Sequence, residues 1–392
     1  MKILFHHRTL ANDGQAVHIE ELTSALRRDG HEVIVVGPPS HRRSGGHDGD
    51  KRIPVLRRVL PKAAYELMEF AYCVVAYRRL RTAYLEHRPD CLYERYNLFQ
   101  PAGLWLKRAF ALPMLLEVNA PLVYERSRFG GLALERLANW SERAVWRGAD
   151  FVLPVTGVLA RFVEDAGVPK ERIAVIPNGI NSDLLAHDPD PAAAKESLGL
   201  EGRLVLGFTG FVRDWHGLDA VIDLIADSDP ALRLHLLLVG DGPARNDLER
   251  RAAARGVGAR VTITGIVPRR DIARHVAAFD VALQPRVQPY ASPLKLFEYM
   301  ALSRAIVAPA TENIREILRD GHDALLFDPE LPGAFRAALE RLCKDPELRR
   351  RLGTAARRTI EERDLTWDHN ARRVVDLFRQ VMDRRASDRI GG

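Results

Sequence analysis

The chain has 392 residues, 46% apolar and 28% charged, which excludes a disordered polymer and predicts two domains, because one core seldom grows past about 250 residues. The three cysteines, Cys73, Cys91 and Cys343, have neither disulfide-framework nor zinc spacing, so a reducing cytoplasm is expected. The net charge of +6 is modest and no recognition motif accompanies it, which sets nucleic-acid binding aside.

The opening MKILFHH reads as a strand rather than a secretory signal, and AYCVVAY at 71–77 is too short to cross a bilayer. Strands are predicted at 2–7, 32–37, 91–95, 114–118, 151–156 and 173–177. Helices are predicted between them at 15–29, 63–88, 99–110, 132–148 and 157–166. A polar, glycine-rich loop is expected at 38–52. Proline, glycine and aspartate break the pattern at 177–202, which is read as an interdomain linker. A second strand series follows at 204–210, 232–240, 260–265, 280–285, 305–309 and 324–328. Strands alternating with helices twice over predict an α/β protein of two doubly wound, Rossmann-like domains facing a cleft. The expected domains are 1–176 and 203–365.

The charge excess is local, since residues 42–88 carry 11 basic and 5 acidic residues. The helix predicted at 63–86 sets Tyr65, Leu67, Met68, Phe70, Tyr72 and Val75 beside Arg78, Arg79 and Arg81. That pattern suits an anionic membrane surface or a phosphorylated acceptor, and suits equally a core helix whose arginines reach out to water.

No G-x-G-x-x-G or P-loop follows the first strand, so dinucleotide cofactors are not supported. The pairs Asp48/Asp50, Asp188/Asp190 and Asp227/Asp229 lie in or beside loops and are read as solvated turns, and no metal site is expected. The segment PYASPLKLFEYMA at 289–301 is more informative. Ser292 is read as an N-cap and Pro293 as the first helical residue, so the free N–H groups and the helix dipole favour a phosphate there. Lys295 adds a full charge, and Glu298, one turn deeper, can accept two hydrogen bonds from a ribose diol. The bland alternative is a capped helix with an i,i+3 Lys–Glu pair.

Five ordered motifs, DGQAVHIEELTSALRRDGHEV, VIPNGIN, LLLVGDGPARNDLE, VTITGIV and SPLKLFEYMALSRAIVAP, resemble those of the family-4 retaining glycosyltransferases of GT-B fold, over nearly the whole chain. The resemblance implies a metal-independent enzyme without a cofactor. It would move a sugar from a nucleotide-diphosphate donor to a hydroxyl, in bacterial polysaccharide, glycolipid or glycoconjugate synthesis. It also implies that a last helix at 366–385 crosses back to the first domain, that Glu298 holds the ribose, that Val267 lies near the base, and that Gly14, Ser292, Pro293, Leu294 and Lys295 surround the donor.

Four positions depart from the family pattern. Tyr290 stands where a glutamate usually contacts the donor sugar, and Asn119 where many members have a histidine. In GFVRDWHG, Phe211 takes an arginine's place and His216 a lysine's, while Arg213 is placed to restore the lost charge. The retaining, front-face reaction implied for the family lets the leaving diphosphate help take the acceptor proton. Catalysis then rests on stabilising the diphosphate, for which each well-placed donor is worth roughly 3–4 kcal/mol. Asn119, Arg213, Lys295 and Glu298 are therefore the catalytic candidates. Glu117 and Glu125 are the acidic neighbours that a two-step mechanism would need. The acceptor, lipid-linked or phosphorylated, is expected on the first domain near Glu125, Arg126 and Arg128. The enzyme is expected in the cytoplasm, with peripheral contact to an anionic membrane through 42–88. A nucleotide-sugar epimerase of the same fold, and a catalytically silent paralogue acting as a binding partner, are the alternatives.

Overall fold

The computed structural model describes residues 1–9, 14–38, 60–186 and 189–390, the last three of these by backbone alone. The expected loop at 38–52 with Asp48 and Asp50, the arginine-rich start of 42–88, and Asp188 lie almost wholly outside the described residues.

The chain divides into two compact units, residues 1–177 with the segment from Asp368 onward, and residues 178–367. In the first, β1 (Lys2–His6), β2 (Glu32–Val36), β3 (Cys91–Arg95), β4 (Met114–Val118) and β5 (Phe151–Pro154) form a parallel sheet in the order β2-β1-β3-β4-β5. In the second, β6 (Leu204–Thr209), β7 (Leu234–Val239), β8 (Val261–Ile263), β9 (Val281–Leu283), β10 (Ala305–Pro309) and β11 (Leu325–Phe327) are ordered β11-β10-β9-β6-β7-β8, again parallel. Runs such as LHLLLV and AIVAP are apolar throughout because helices cover both faces of such sheets. Strand order reverses between β1 and β3, and between β6 and β9. At those points the loops at the carboxyl ends of the strands diverge and leave room for a ligand.

Two expectations need correction. Residues 173–177 do not form a strand. Ala174 and Ile176 donate to Val152 and Pro154 of β5, but the carbonyls of Val175 and Pro177 are taken by Arg373 and Asn370 of the last helix. The stretch 177–202 is not a free linker either. From Asn178 it belongs to the second unit, with Ile180, Ala194 and Leu200 buried in its core and helices at Ser182–Ala186 and Pro191–Ser197. The proline and aspartate that looked like breakers start the second of these, Asp190 capping Ala192 and Ala193.

The last helix, Trp367–Ile390, runs beyond the expected 366–385 and packs with the first unit. Arg28 pairs with Asp368 at 2.7 Å, and Arg385 with Asp150 at 3.0 Å, fixing it at both ends. All three cysteines are free and buried.

At the centre of the second sheet, a Cβ on Gly207 would sit 2.0 Å from the ring of the fully buried Phe279. Gly207→Ala is therefore expected to destabilise that unit by about 1–3 kcal/mol, seen as an earlier unfolding midpoint in urea. An unchanged midpoint would contradict this packing.

Candidate functional site

In the second unit, the loop after β6 and the loop after β9 meet at the reversal in strand order. The β6 loop needs close backbone approach. Gly240 has φ 141°, and a Cβ there would lie 2.1 Å from the Gly210 carbonyl oxygen; one on Gly242 would lie 2.1 Å from that of Val212. The turn Asp214–His216 follows, ended by Gly217 in the left-handed region. Its His216 is buried, and the Arg213 backbone N–H donates to Nδ1 at 3.0 Å, which leaves the ring proton on Nε2. Burial, then the Lys295 charge, push this histidine down to about 3. His216 thus offers a neutral N–H donor, not the positive charge expected of a lysine substitute. Arg213 lies exposed with its guanidinium 4.9 Å from the Phe211 ring.

The β9 loop carries the other groups. It is held by buried Asn313, which donates to the carbonyls of Gln288 and Ala291 at 3.1 and 2.7 Å. Tyr290 is buried, and Ser292, Pro293 and Leu294 are half-buried. The helix begins one residue later than expected, spanning Leu294–Ala301 with Pro293 at the N-cap position and no side-chain cap. Ser292 does not cap it, because its hydroxyl accepts the Asn178 N–H at 3.2 Å and its carbonyl the Asn178 side chain at 2.6 Å. The first N–H groups of this helix therefore lack a side-chain acceptor.

Lys295 stands beside that opening. Its ammonium lies 3.5 Å from the Phe208 ring centre, against Gly210, and makes no hydrogen bond or ion pair among the described residues. Glu298 would be its natural partner on an ordinary helix. Instead, Glu298 accepts a salt bridge from Arg269 at 2.9 Å. Burial lowers the Lys295 ammonium to about 7, against a weak opposing pull from Glu298. The helix opening and this cation form a seat for an anion, while buried Glu298 lies one turn deeper. Val267, two residues before Arg269, is half-buried against the core cluster that includes Leu296.

The first unit shows the opposite electrostatics. Glu117, at the end of β4, is buried and accepts from His18 and Tyr93, each at 2.7 Å, and from Arg95 and Asn119. Burial would raise its carboxyl, but His18, Arg95 and these hydrogen bonds hold it well below the usual carboxylate range. A carboxylate with four donors is a hub, not a nucleophile. Asn119 gives its N–H to that hub, so its carbonyl oxygen remains to accept from a hydroxyl. Gly14 is exposed at the start of the helix Gly14–Arg28, which carries His18.

The residues expected to meet an acceptor are tied down. Arg126 forks onto Glu69 at 2.6 and 3.1 Å, Lys62 donates to the Gly130 carbonyl, and Arg128 donates to the Tyr124 hydroxyl at 2.6 Å. Glu125 is half-buried in the same turn.

Sequence reasoning missed Arg269, Asn178 and Asn313, and also Arg286, whose guanidinium would lie 3.3 Å from a Cβ on Gly217. Nothing in VIPNGIN, GIVPRRD, LQPRVQ or TENIRE marks these roles, because they depend on contacts between distant segments.

Residues 13–179 match the glycosyl transferase 4-like domain, and residues 191–359 match glycosyl transferases group 1. The chain belongs to the family-4 glycosyltransferases. Alpha-D-kanosaminyltransferase of Streptomyces kanamyceticus is 26% identical over 64% of this chain and 66% of its own length. The D-inositol 3-phosphate glycosyltransferase of Thermomonospora curvata is 26% identical over 75% of this chain and 72% of its own. Several other curated relatives are matched over only about half of their own length, 50% in two cases. Among solved structures, sucrose-phosphate synthase of Thermosynechococcus elongatus superposes with a TM-score of 0.77 at 19% identity, covering 98% of this chain and 99% of that one. Anabaena HepE, solved with UDP and glucose, gives 0.71 at 16% identity, covering 99% and 100%. The fold of this glycosyltransferase is GT-B.

The half-buried Lys295 ammonium has no anion beside it in the ligand-free protein, so Lys295→Met is expected to raise the unfolding temperature, by about 3 °C or more, while weakening binding of a nucleoside diphosphate, with UDP as the first probe, roughly 100-fold. Between about 7 and 10.5 the unfolded chain holds the Lys295 proton that the native chain has lost. Wild-type stability should therefore gain a contribution that rises with pH across that window, and the Met variant should lack it. A variant that melts earlier, with unchanged UDP affinity, would refute the assignment.

Proposed function

We propose that this glycosyltransferase is a retaining enzyme that moves a sugar from a nucleotide-diphosphate donor to a hydroxyl, in bacterial polysaccharide, glycolipid or glycoconjugate synthesis. The observation that carries this reading is Lys295, a half-buried cation with no hydrogen bond or ion pair among the described residues, at an uncapped helix start. A diphosphate supplies the missing charge. As the bond from the sugar's anomeric carbon to the diphosphate breaks, negative charge grows on the leaving oxygen, where Lys295 and the helix N–H groups stabilise it. The acceptor oxygen then bonds to the same face of that carbon, and its proton passes to the leaving diphosphate.

Glu298, oriented by Arg269, is assigned to the ribose diol and Val267 to the base side. His216 adds a neutral donor and Arg213 a mobile second cation near the phosphates. Pro293 and Leu294 open the helix whose N–H groups meet them. Tyr290 and Asn119 are assigned to sugar selection, Asn119 through its carbonyl oxygen. The acceptor is read as a lipid-linked or phosphorylated alcohol at the cytoplasmic face of a membrane. In support of a phosphorylated acceptor, the Thermomonospora curvata relative is a D-inositol 3-phosphate glycosyltransferase.

The purified chain incubated with UDP-, GDP-, dTDP- and CDP-sugars should be stabilised by one of them and should hydrolyse it slowly, leaving the sugar unchanged. Glu298→Ala should abolish that stabilisation. Conversion to an epimeric nucleotide sugar would favour the epimerase, and no stabilisation by any nucleotide would favour the silent paralogue.

A further inference from the structure

The helix Lys62–His87 has its polarity reversed. Its inner face carries Glu66, Glu69, Cys73, Ala76 and Leu80, all buried. Both inner carboxylates are satisfied within the unit. Glu66 accepts the N–H groups of Ala133 and Leu134 at 2.9 and 2.6 Å, capping the helix Glu135–Gly148, and Glu69 takes Arg126. The outer face is apolar. Leu67 is 53% exposed and Met68 41%, and Val74 and Val75 continue the stripe about two turns on, seven residues later on the same face.

The patch extends beyond this helix. Phe70 meets Trp140 edge-on at 6.3 Å, bringing that 56%-exposed indole to the flank of the stripe. Lys62 holds Gly130, next to Phe129, which is 67% exposed. Three segments far apart in sequence thus place large apolar side chains in water within one unit, more than scattered surface residues require.

The charges around the patch are lopsided. Arg78, Arg79 and Arg81 continue the outer face of the helix, and Arg136 and Arg143 flank Trp140, all exposed, against exposed Glu86 and Glu135. A second copy meeting this face on a two-fold axis would set arginines against arginines. An anionic lipid surface matches both features, with headgroups for the guanidiniums and acyl chains for Leu67, Met68, Val74, Val75 and Trp140. No helix among the described residues is long and apolar enough to cross a membrane, so contact is at the surface.

We propose that the outer face of Lys62–His87, with Trp140 and Phe129, docks the protein onto an anionic membrane. The proposal is independent of the transferase reading. It also narrows the basic stretch 42–88 to one face and adds two aromatic residues outside it.

Flotation of the full chain with phosphatidylglycerol-containing vesicles and with pure phosphatidylcholine vesicles tests it. Binding is expected to the anionic vesicles only, strong in about 0.05 M salt and weakened in about 0.5 M. The pair Met68→Asp and Val75→Asp should weaken it at least tenfold, as should Arg78→Glu with Arg81→Glu. Both pairs should keep the wild-type melting curve and UDP affinity, because they touch neither the core nor the anion seat. Equal binding to both vesicle types, no binding by the wild type, or wild-type binding by the aspartate pair would overturn the proposal. So would a dimer seen in sedimentation that the aspartate pair dissolves, since a second copy would then cover the face. Failure of all four of UDP, GDP, dTDP and CDP to bind the wild type would count against the transferase reading alone.

Discussion

A positive charge drawn partly out of water with no anion beside it is costly, and the ligand-free second unit holds one at Lys295, half-buried over the Phe208 ring. The surrounding structure maintains that condition. Arg269 occupies Glu298, which would otherwise neutralise the lysine along its own helix. Asn178 occupies Ser292, which would otherwise cap the first N–H groups. His216 is kept neutral by burial and by the Lys295 charge, so it does not compete for an anion with charge of its own. Gly240 and Gly242 let two loop backbones approach closely enough to bring Gly210 against the ammonium. Each local choice leaves attraction unspent until an anion arrives, and this is the condition for binding energy to be expressed on a leaving group.

The first unit solves the same electrostatic problem in the opposite way. Glu117 is buried more deeply than Lys295, yet four donors, from the first helix, β3 and the loop after β4, close around it. A satisfied hub of this kind rigidifies its neighbours rather than binding anything itself. Its consequence for chemistry is indirect: it fixes which end of the Asn119 amide faces outward. Glu66 and Glu69 follow the same rule, their charge consumed internally while the helix's outer face is left apolar.

Much of the architecture was legible because parallel sheets demand apolar runs, and those runs stand out from the amphipathic helices between them. The GT-B assignment followed from the order of five motifs. What escaped had a common cause, contact between segments far apart in sequence. The run IAVIP looks like a sixth strand, but Arg373 and Asn370, some 200 residues on, take its carbonyls. Residues 178–202 carry every breaker of a linker, yet Ile180 and Leu200 are buried in the second core. Ser292 has the right type and place for a cap and is diverted by Asn178. For 63–86 the sequence left membrane and core readings open. In the structure Leu67, Met68 and Val75 lie outside, while Tyr65, Phe70 and Tyr72 are half-buried. Arg269 was invisible because one arginine among many carries no mark of its partner.

The account turns on Lys295 being a cation kept short of its anion. The direct measurement is the pKa of its Nζ, followed by nitrogen-detected NMR in the free protein and in the presence of saturating UDP. The account predicts titration near 7 in the free protein and a clear rise toward the ordinary lysine value with UDP bound, as the diphosphate favours the charged form. An ordinary lysine value in the free protein, unmoved by UDP, would contradict it.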